Sequence, residues 1–201
     1  MSEVIRHVML FGATGKTGQH ILRQALDRGL TVTAIARDPA KLGTSHPNLK
    51  AVQADILDPA ALDAALASRP DAVVSALGIY QKEPGTALST GTGNILAAMA
   101  KHGVRRLVVV SSLGAGDSRG QGSLLARGLQ KLLLRHVLDD KTRQEALIAG
   151  SNVVATVFRP PQLTDDERLR DDLVLWSGPP PKRRLTWKVS RATVAKYVLD
   201  A

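Results

Sequence analysis

Residues 8–18 read V-M-L-F-G-A-T-G-K-T-G, a short apolar run that breaks into glycines at 12, 15 and 18 directly ahead of an amphipathic segment. A strand, a tight turn and a helix N-terminus account for that order of residue types. Gly12 permits the turn, Gly15 lets the backbone approach a pyrophosphate, and Gly18 lets the new helix lie close on the sheet, its free N–H groups facing the anion. A dinucleotide site is the first expectation. Gly15-Lys16-Thr17 superficially suggests a triphosphate-binding loop, but that motif needs a further glycine five positions before Gly15, where Leu10 stands. A purely structural turn is also compatible with three glycines alone, so the surrounding pattern has to decide.

Outward from the turn, strands and helices alternate. Ile21, Leu22, Ala25 and Leu26 recur at helical spacing over 17–28, with Gly29 as the stop. Strands are expected at 31–36, 49–54, 71–75, 105–110 and 152–158. Between them, Asp58 as N-cap and Pro59 at the first helical position open a helix over 60–67, and 86–101 is a helix stopped by His102-Gly103. A long helix is expected over 123–138, continued or restarted over 141–149. The 113–122 stretch, with four glycines, reads as a mobile loop over the site. Beyond 158 the chain turns loop-rich, ending in a short basic strand near 183–189 and a helix from Ser190. This alternation implies an α/β fold: a Rossmann-type doubly wound parallel sheet, three-layered, in one domain over 1–201 with a small C-terminal substrate-side region at 162–189.

Ligands of such sheets bind beyond the C-terminal strand ends, so the residues there are the candidates. At the end of the second strand an NAD site places an acid for the ribose 2′-hydroxyl, whereas this chain has Ala36-Arg37. Arg37 is suited to bidentate pairing with a 2′-phosphate, which points to NADP; Lys16 and Lys41 would add charge, and an ion pair of Arg37 with Asp38 is the alternative. Asp55 stands where an acid accepts from the adenine amino group or caps a turn. Leu77-Gly78 follows the fourth strand, Gly78 letting the ribose pass, and Ser111-Ser112 follows the fifth.

Composition narrows the class. The chain has 201 residues, 44% of them hydrophobic, and no cysteine, which excludes disulfides, thiolate metal sites and a cysteine nucleophile. The net charge of +9 admits an anionic partner, but only 3% of residues are aromatic and the charges are scattered. No nucleic acid and no membrane are expected as partners, and the absence of a leader-like or spanning segment suggests a cytoplasmic protein, monomer or homodimer.

With those residues in place, the chain resembles the atypical short-chain dehydrogenase/reductase superfamily. More narrowly it resembles the group of biliverdin-IXβ reductase/flavin reductase and the NmrA-like NAD(P)H-binding proteins. The resemblance runs through F-G-A-T-G-K-T-G, A-R-D-P-A-K-L, V-V-S-A-L-G, V-V-V-S-S, D-D-K-T-R-Q-E-A-L and F-R-P-P-Q-L. It implies that Thr14, Lys16 and Thr17 bind phosphates with the glycines, that Arg37 selects NADP(H), and that Asp55 and Ile56 flank adenine. It further implies that Leu77 and Gly78 lie along the ribose, Ser111 and Ser112 beside the nicotinamide, and Pro160, Pro161 and Gln162 beneath its carboxamide. Biliverdin/flavin reductases have a histidine where Gln162 stands.

A second departure bears on chemistry. The resemblance aligns Lys141 with the lysine of a Tyr-x-x-x-Lys pair, but Val137 occupies the tyrosine position. Ordinary carbonyl chemistry therefore lacks its proton donor, whereas hydride transfer to a planar acceptor such as a flavin or quinone asks mainly for positioning. Ser112 and Lys141 are the candidate catalytic residues. Ser112 either contacts the acceptor or caps the loop, and Lys141 either stabilises charge and holds the ribose or pairs with Asp139, Asp140 or Glu145. The alternative function is a non-catalytic NADP(H) sensor.

Overall fold

Strands that are apolar on both sides must be covered on both sides, and this sets the layering of the molecule. The computed structural model describes residues 4–78, 83–121, 128, 134–178 and 187–201. Six strands form one parallel sheet: β1 (His7–Phe11), β2 (Thr31–Ala36), β3 (Leu49–Gln53), β4 (Ala72–Ser75), β5 (Arg106–Val110) and β6 (Val154–Phe158). Their order is β3-β2-β1-β4-β5-β6, so the direction of winding reverses between β1 and β4. A ligand crevice belongs at that reversal.

The two-residue period of each strand assigns its side chains to opposite layers. Val8, Leu10, Val74 and Val108 pack with Ile21, Leu22 and Ala25 of α1 (Lys16–Asp27) and with Val194, Ala195 and Val198 of α5 (Arg191–Asp200). Met9, Phe11, Val73, Leu107 and Val109 face the other layer: α2 (Pro59–Leu66), α3 (Ala87–His102) and α4 (Arg135–Ala149), through Leu62, Leu66, Ile95, Met99 and Ile148. Each fully buried Leu, Ile or Phe contributes roughly 1.5–3 kcal/mol, so these two seams hold the strand ends where the site forms.

Local signals place the helix starts as expected. Asp58 accepts from the N–H groups of Ala60 and Ala61, and Ser190 from that of Thr193. The start of α3 is capped instead from another helix: Asp140 of α4 accepts from the N–H groups of Leu88 and Ser89 at 3.0 and 3.3 Å, and from the Ser89 hydroxyl.

Three expectations need revision. The short strand expected near 183–189 is described at β8 (Lys188–Ser190), and it pairs in parallel with β7 (Gln162–Thr164), a three-residue strand in the stretch read as loop. The 113–119 stretch does not stand free. Gly116 N–H donates to Thr142 Oγ1 at 3.0 Å, Arg119 pairs with Asp139 at 2.5 Å, and Asp117 pairs with Arg159, because α4 and the residue just after β6 present polar partners at these points. The third strand ends at Gln53 rather than Ala54, although Ala54 N–H still bonds the Ala36 carbonyl. Most of the helix expected over 123–138, and the basic residues 182–184, lie outside the described residues.

Candidate dinucleotide site

The glycine turn sits on the crevice between β1 and β4. Gly12 has φ +79°, and a Cβ there would lie 2.7 Å from the Ala76 carbonyl oxygen at the end of β4. Only glycine satisfies both the left-handed backbone and that approach. A Cβ on Gly18 would collide with the Gly12 carbonyl and come within 2.9 Å of Ala13 Cα, so α1 lies directly against the turn. Gly15 is different: its φ is −80°, and a Cβ would meet only the Gly12 oxygen, at 3.3 Å. Space on its outer side is what a pyrophosphate needs. Gly15 is also the N-cap of α1 and supplies no side-chain cap, leaving the first N–H groups for an anion.

The adenosine side follows from β2 and β3. Arg37 is exposed just after β2, and its guanidinium makes no hydrogen bond or ion pair among the described residues. Asp38 does not pair with it; that carboxylate caps Ala40 N–H at 3.2 Å and faces Lys41 at 3.6 Å. Asp55 accepts from Leu57 N–H at 2.9 Å, so it does cap a turn, and Ile56 packs across Gly91 while its carbonyl accepts from Asn94. Thr14 and Thr17 flank the turn. Lys16, expected on a phosphate, pairs here with Asp165 at 2.9 Å, and Asp165 also meets Arg191 at 2.5 Å. Leu77 is half-buried after β4 and Gly78 is exposed, with nothing within 4 Å of a Cβ placed on it.

The other side of the crevice is built from β5, β6 and α4. Ser111 is buried and its hydroxyl donates to Glu145, so it is an anchor rather than a free group. Ser112 is half-buried, with a long 3.3 Å bond from its hydroxyl to the Leu113 carbonyl. Lys141 is only 6% exposed and its ammonium donates to the Val110 carbonyl at 3.2 Å. Burial pulls its pKa down to about 8, opposed by the Glu145 and Asp140 carboxylates. Glu145 takes a two-pronged contact from Arg159, Nη2 at 2.7 Å and Nε at 3.1 Å, and this hydrogen bonding raises the arginine further above its ordinary range. Pro160 is buried, Pro161 half-buried, and Gln162 exposed at the start of β7, its N–H bonded to the Trp187 carbonyl.

Two groups here escape a reading of the sequence. Glu145 stands there only as one of three acids near Lys141, and Arg159 only as the residue before Pro-Pro. The available signal was an acid four residues after the lysine on one face of a helix that buries Lys141, Gln144 and Glu145 together. Of the two tyrosines that could stand in for the proton donor absent at Val137, Tyr197 donates its hydroxyl to the Asp171 carbonyl at 3.0 Å, and Tyr80 lies outside the described residues.

The residues fit a bound dinucleotide on three counts: the open face of Gly15, the uncapped start of α1, and an unpaired guanidinium after β2. Comparisons with known proteins show the family and the fold. A family model described as NAD(P)H-binding matches residues 12–201. An uncharacterized chloroplastic protein of Arabidopsis thaliana is 34% identical over 173 residues, 80% of this chain; the chain spans 60% of that relative's length. Among solved structures, ChuY, an anaerobillin reductase from Escherichia coli O157:H7, superposes with a TM-score of 0.76 at 23% identity, covering 96% of this chain and 89% of that one. A short-chain dehydrogenase/reductase from Veillonella parvula DSM 2008 in complex with NADP gives 0.76 at 18% identity, covering 98% and 87%. At these identities the two structures establish the fold. No helix among the described residues is long and apolar enough to cross a membrane.

Proposed function

The chain belongs to the NAD(P)H-binding family, and on that premise we propose that it is an NADPH-dependent reductase that transfers hydride to a planar acceptor such as a flavin or quinone. The observation that carries the reading is Arg37: an exposed guanidinium, unpaired among the described residues, one residue past β2 where a 2′-phosphate would be met. Gly12, Thr14, Gly15, Thr17 and Gly18 would hold the pyrophosphate, with Lys16 once it leaves Asp165. Asp55, Ile56, Leu77 and Gly78 would line the adenosine and ribose. Fold neighbours that include an NADP complex and an anaerobillin reductase support the reading.

Bound NADPH would supply the hydride. What this chain supplies is position. Ser112, with its hydroxyl only loosely engaged, would contact the acceptor, while the buried Lys141 would put a positive charge behind the end of β5. Neither provides the missing tyrosine proton, and an acceptor that spreads charge over a ring and takes its proton from water needs none. Leu169, Leu175 and Trp176, after β7, are exposed apolar side chains that an acceptor could use. The test is NADPH oxidation with FMN and quinones, with nucleotide affinities of wild type and Arg37→Ala. Turnover that prefers NADPH, with the preference lost in the variant, is expected; tight NADPH binding without turnover on any acceptor would refute it. That outcome would favour the second reading, an NADP(H) sensor, which the internal commitments of Ser111 and Lys141 support.

A further inference from the structure

We propose that Glu145 is the positioning residue of the nicotinamide side, holding the ends of β5 and β6 and the turn at 113–118 as one unit. The inference rests on the NADP(H)-site reading above. The ends of β5 and β6 carry the residues that would face the nicotinamide, and three backbone or side-chain links join them. Ser111 N–H bonds the Phe158 carbonyl at 2.7 Å and Leu113 N–H the Pro160 carbonyl at 3.0 Å. The third link is Glu145, which reaches up from α4, accepts from the Ser111 hydroxyl and receives the Arg159 guanidinium through Nε and Nη2.

The same guanidinium passes the hold outward. Its Nη1 donates to Asp117, and Gly116 lies so close over the pair that a Cβ there would fall on Glu145 Oε2 and 2.7 Å from Arg159 Nη2. Gly116, at φ +54°, therefore lets the turn close down on the ion pair. Glu145 is 8% exposed, so removing its charge takes the buried partner from Arg159 and leaves it only the exposed Asp117. None of these contacts touches β2, β3 or the glycine turn. Loss of Glu145 should therefore loosen the nicotinamide side and spare the adenosine side.

A binding measurement reads this difference without relying on turnover. NADPH and 2′-phospho-ADP-ribose, which lacks the nicotinamide, are titrated into wild type, Glu145→Gln and Arg159→Lys. We expect wild type to bind NADPH more tightly than the fragment, and Glu145→Gln to erode that ratio by about tenfold, as loss of a hydrogen bond to a charged group would. Fragment affinity should stay within about twofold, because distant sites act independently. Arg159→Lys, which keeps the charge but loses the fork, should fall between. If the reductase turns over, KM for NADPH should rise in Glu145→Gln along with the weaker binding, and kcat should fall as well. An unchanged affinity ratio, a wild-type ratio near one, or equal losses for both ligands would overturn the role of Glu145. Failure of wild type to bind either ligand would remove the NADP(H) reading itself, and the inference with it.

Discussion

Substituting Ala at Gly18 and at Gly15 adds the same methyl group three residues apart in one motif, and the structure assigns the two variants different failures. At Gly18 the new Cβ would fall on the Gly12 carbonyl, 2.7 Å from its carbon and 2.9 Å from Ala13 Cα. Carbon atoms pack comfortably at about 3.5 Å or more, so α1 would have to retreat by roughly 1 Å. The opposing atoms are backbone of a turn that is itself pressed on Ala76, so they cannot yield as a flexible side chain would. Overpacking of this kind costs about 1–3 kcal/mol, and the upper end is expected here. For a chain of this size that is a fall in Tm of roughly 6–12 °C. A shift of about 1 Å in the helix that presents the phosphate-facing N–H groups would also weaken nucleotide binding.

At Gly15 the backbone conformation suits any residue and the Cβ meets only one atom, at 3.3 Å. Stability should change by less than about 0.5 kcal/mol, as for an unremarkable surface substitution. On the proposed reading NADPH binding should nevertheless fall, because the methyl group would take up space that the pyrophosphate needs. Thermal unfolding and NADPH titration on both variants decide the matter. Destabilised and weakly binding Gly18→Ala beside stable and weakly binding Gly15→Ala is the expected pattern. A Gly15→Ala variant that binds NADPH as wild type does would refute the placement of the pyrophosphate against this turn.

Arg37→Ala should weaken NADPH by about 10- to 100-fold, the loss of a hydrogen bond to a charged group, and leave NADH unchanged; parallel titrations check it. Lys141 makes stability depend on pH. Its folded pKa, about 8, lies below the 10.5 of an unfolded lysine, so the unfolded chain binds the additional proton between those values and stability rises from about pH 8 to about 10.5. The gain is at most about 3 kcal/mol, and Lys141→Met should be more stable at pH 7 than wild type and lack that slope, read by urea unfolding at pH 7 and 10. Asp140→Ala, which strips the cap from α3 and leaves Leu88 and Ser89 N–H groups unpaired, should cost about 1–3 kcal/mol in the same assay. Asp165→Asn, by freeing Lys16, should raise NADPH affinity at low salt and do so less at high salt, where exposed ion pairs are screened.

Much of this molecule is legible from near neighbours in the chain. The glycine spacing, the two-residue apolar period of the strands, Asp58-Pro59 and Ser190 each act within a few residues, and each is found in the structure where local chemistry puts it. Arg37 too stands where the motif leads one to look. The sequence by itself therefore determined the order of elements, the layering and the glycine turn ahead of α1. Only the tertiary structure decided which polar groups meet across long separations: Asp140 capping α3, Glu145 joining Ser111 to Arg159, Asp165 on Lys16, and the pairing of β7 with β8. A carboxylate on a helix reads the same in sequence whether it faces water or a buried arginine. The difference arises from desolvation, and desolvation exists only once distant segments have packed.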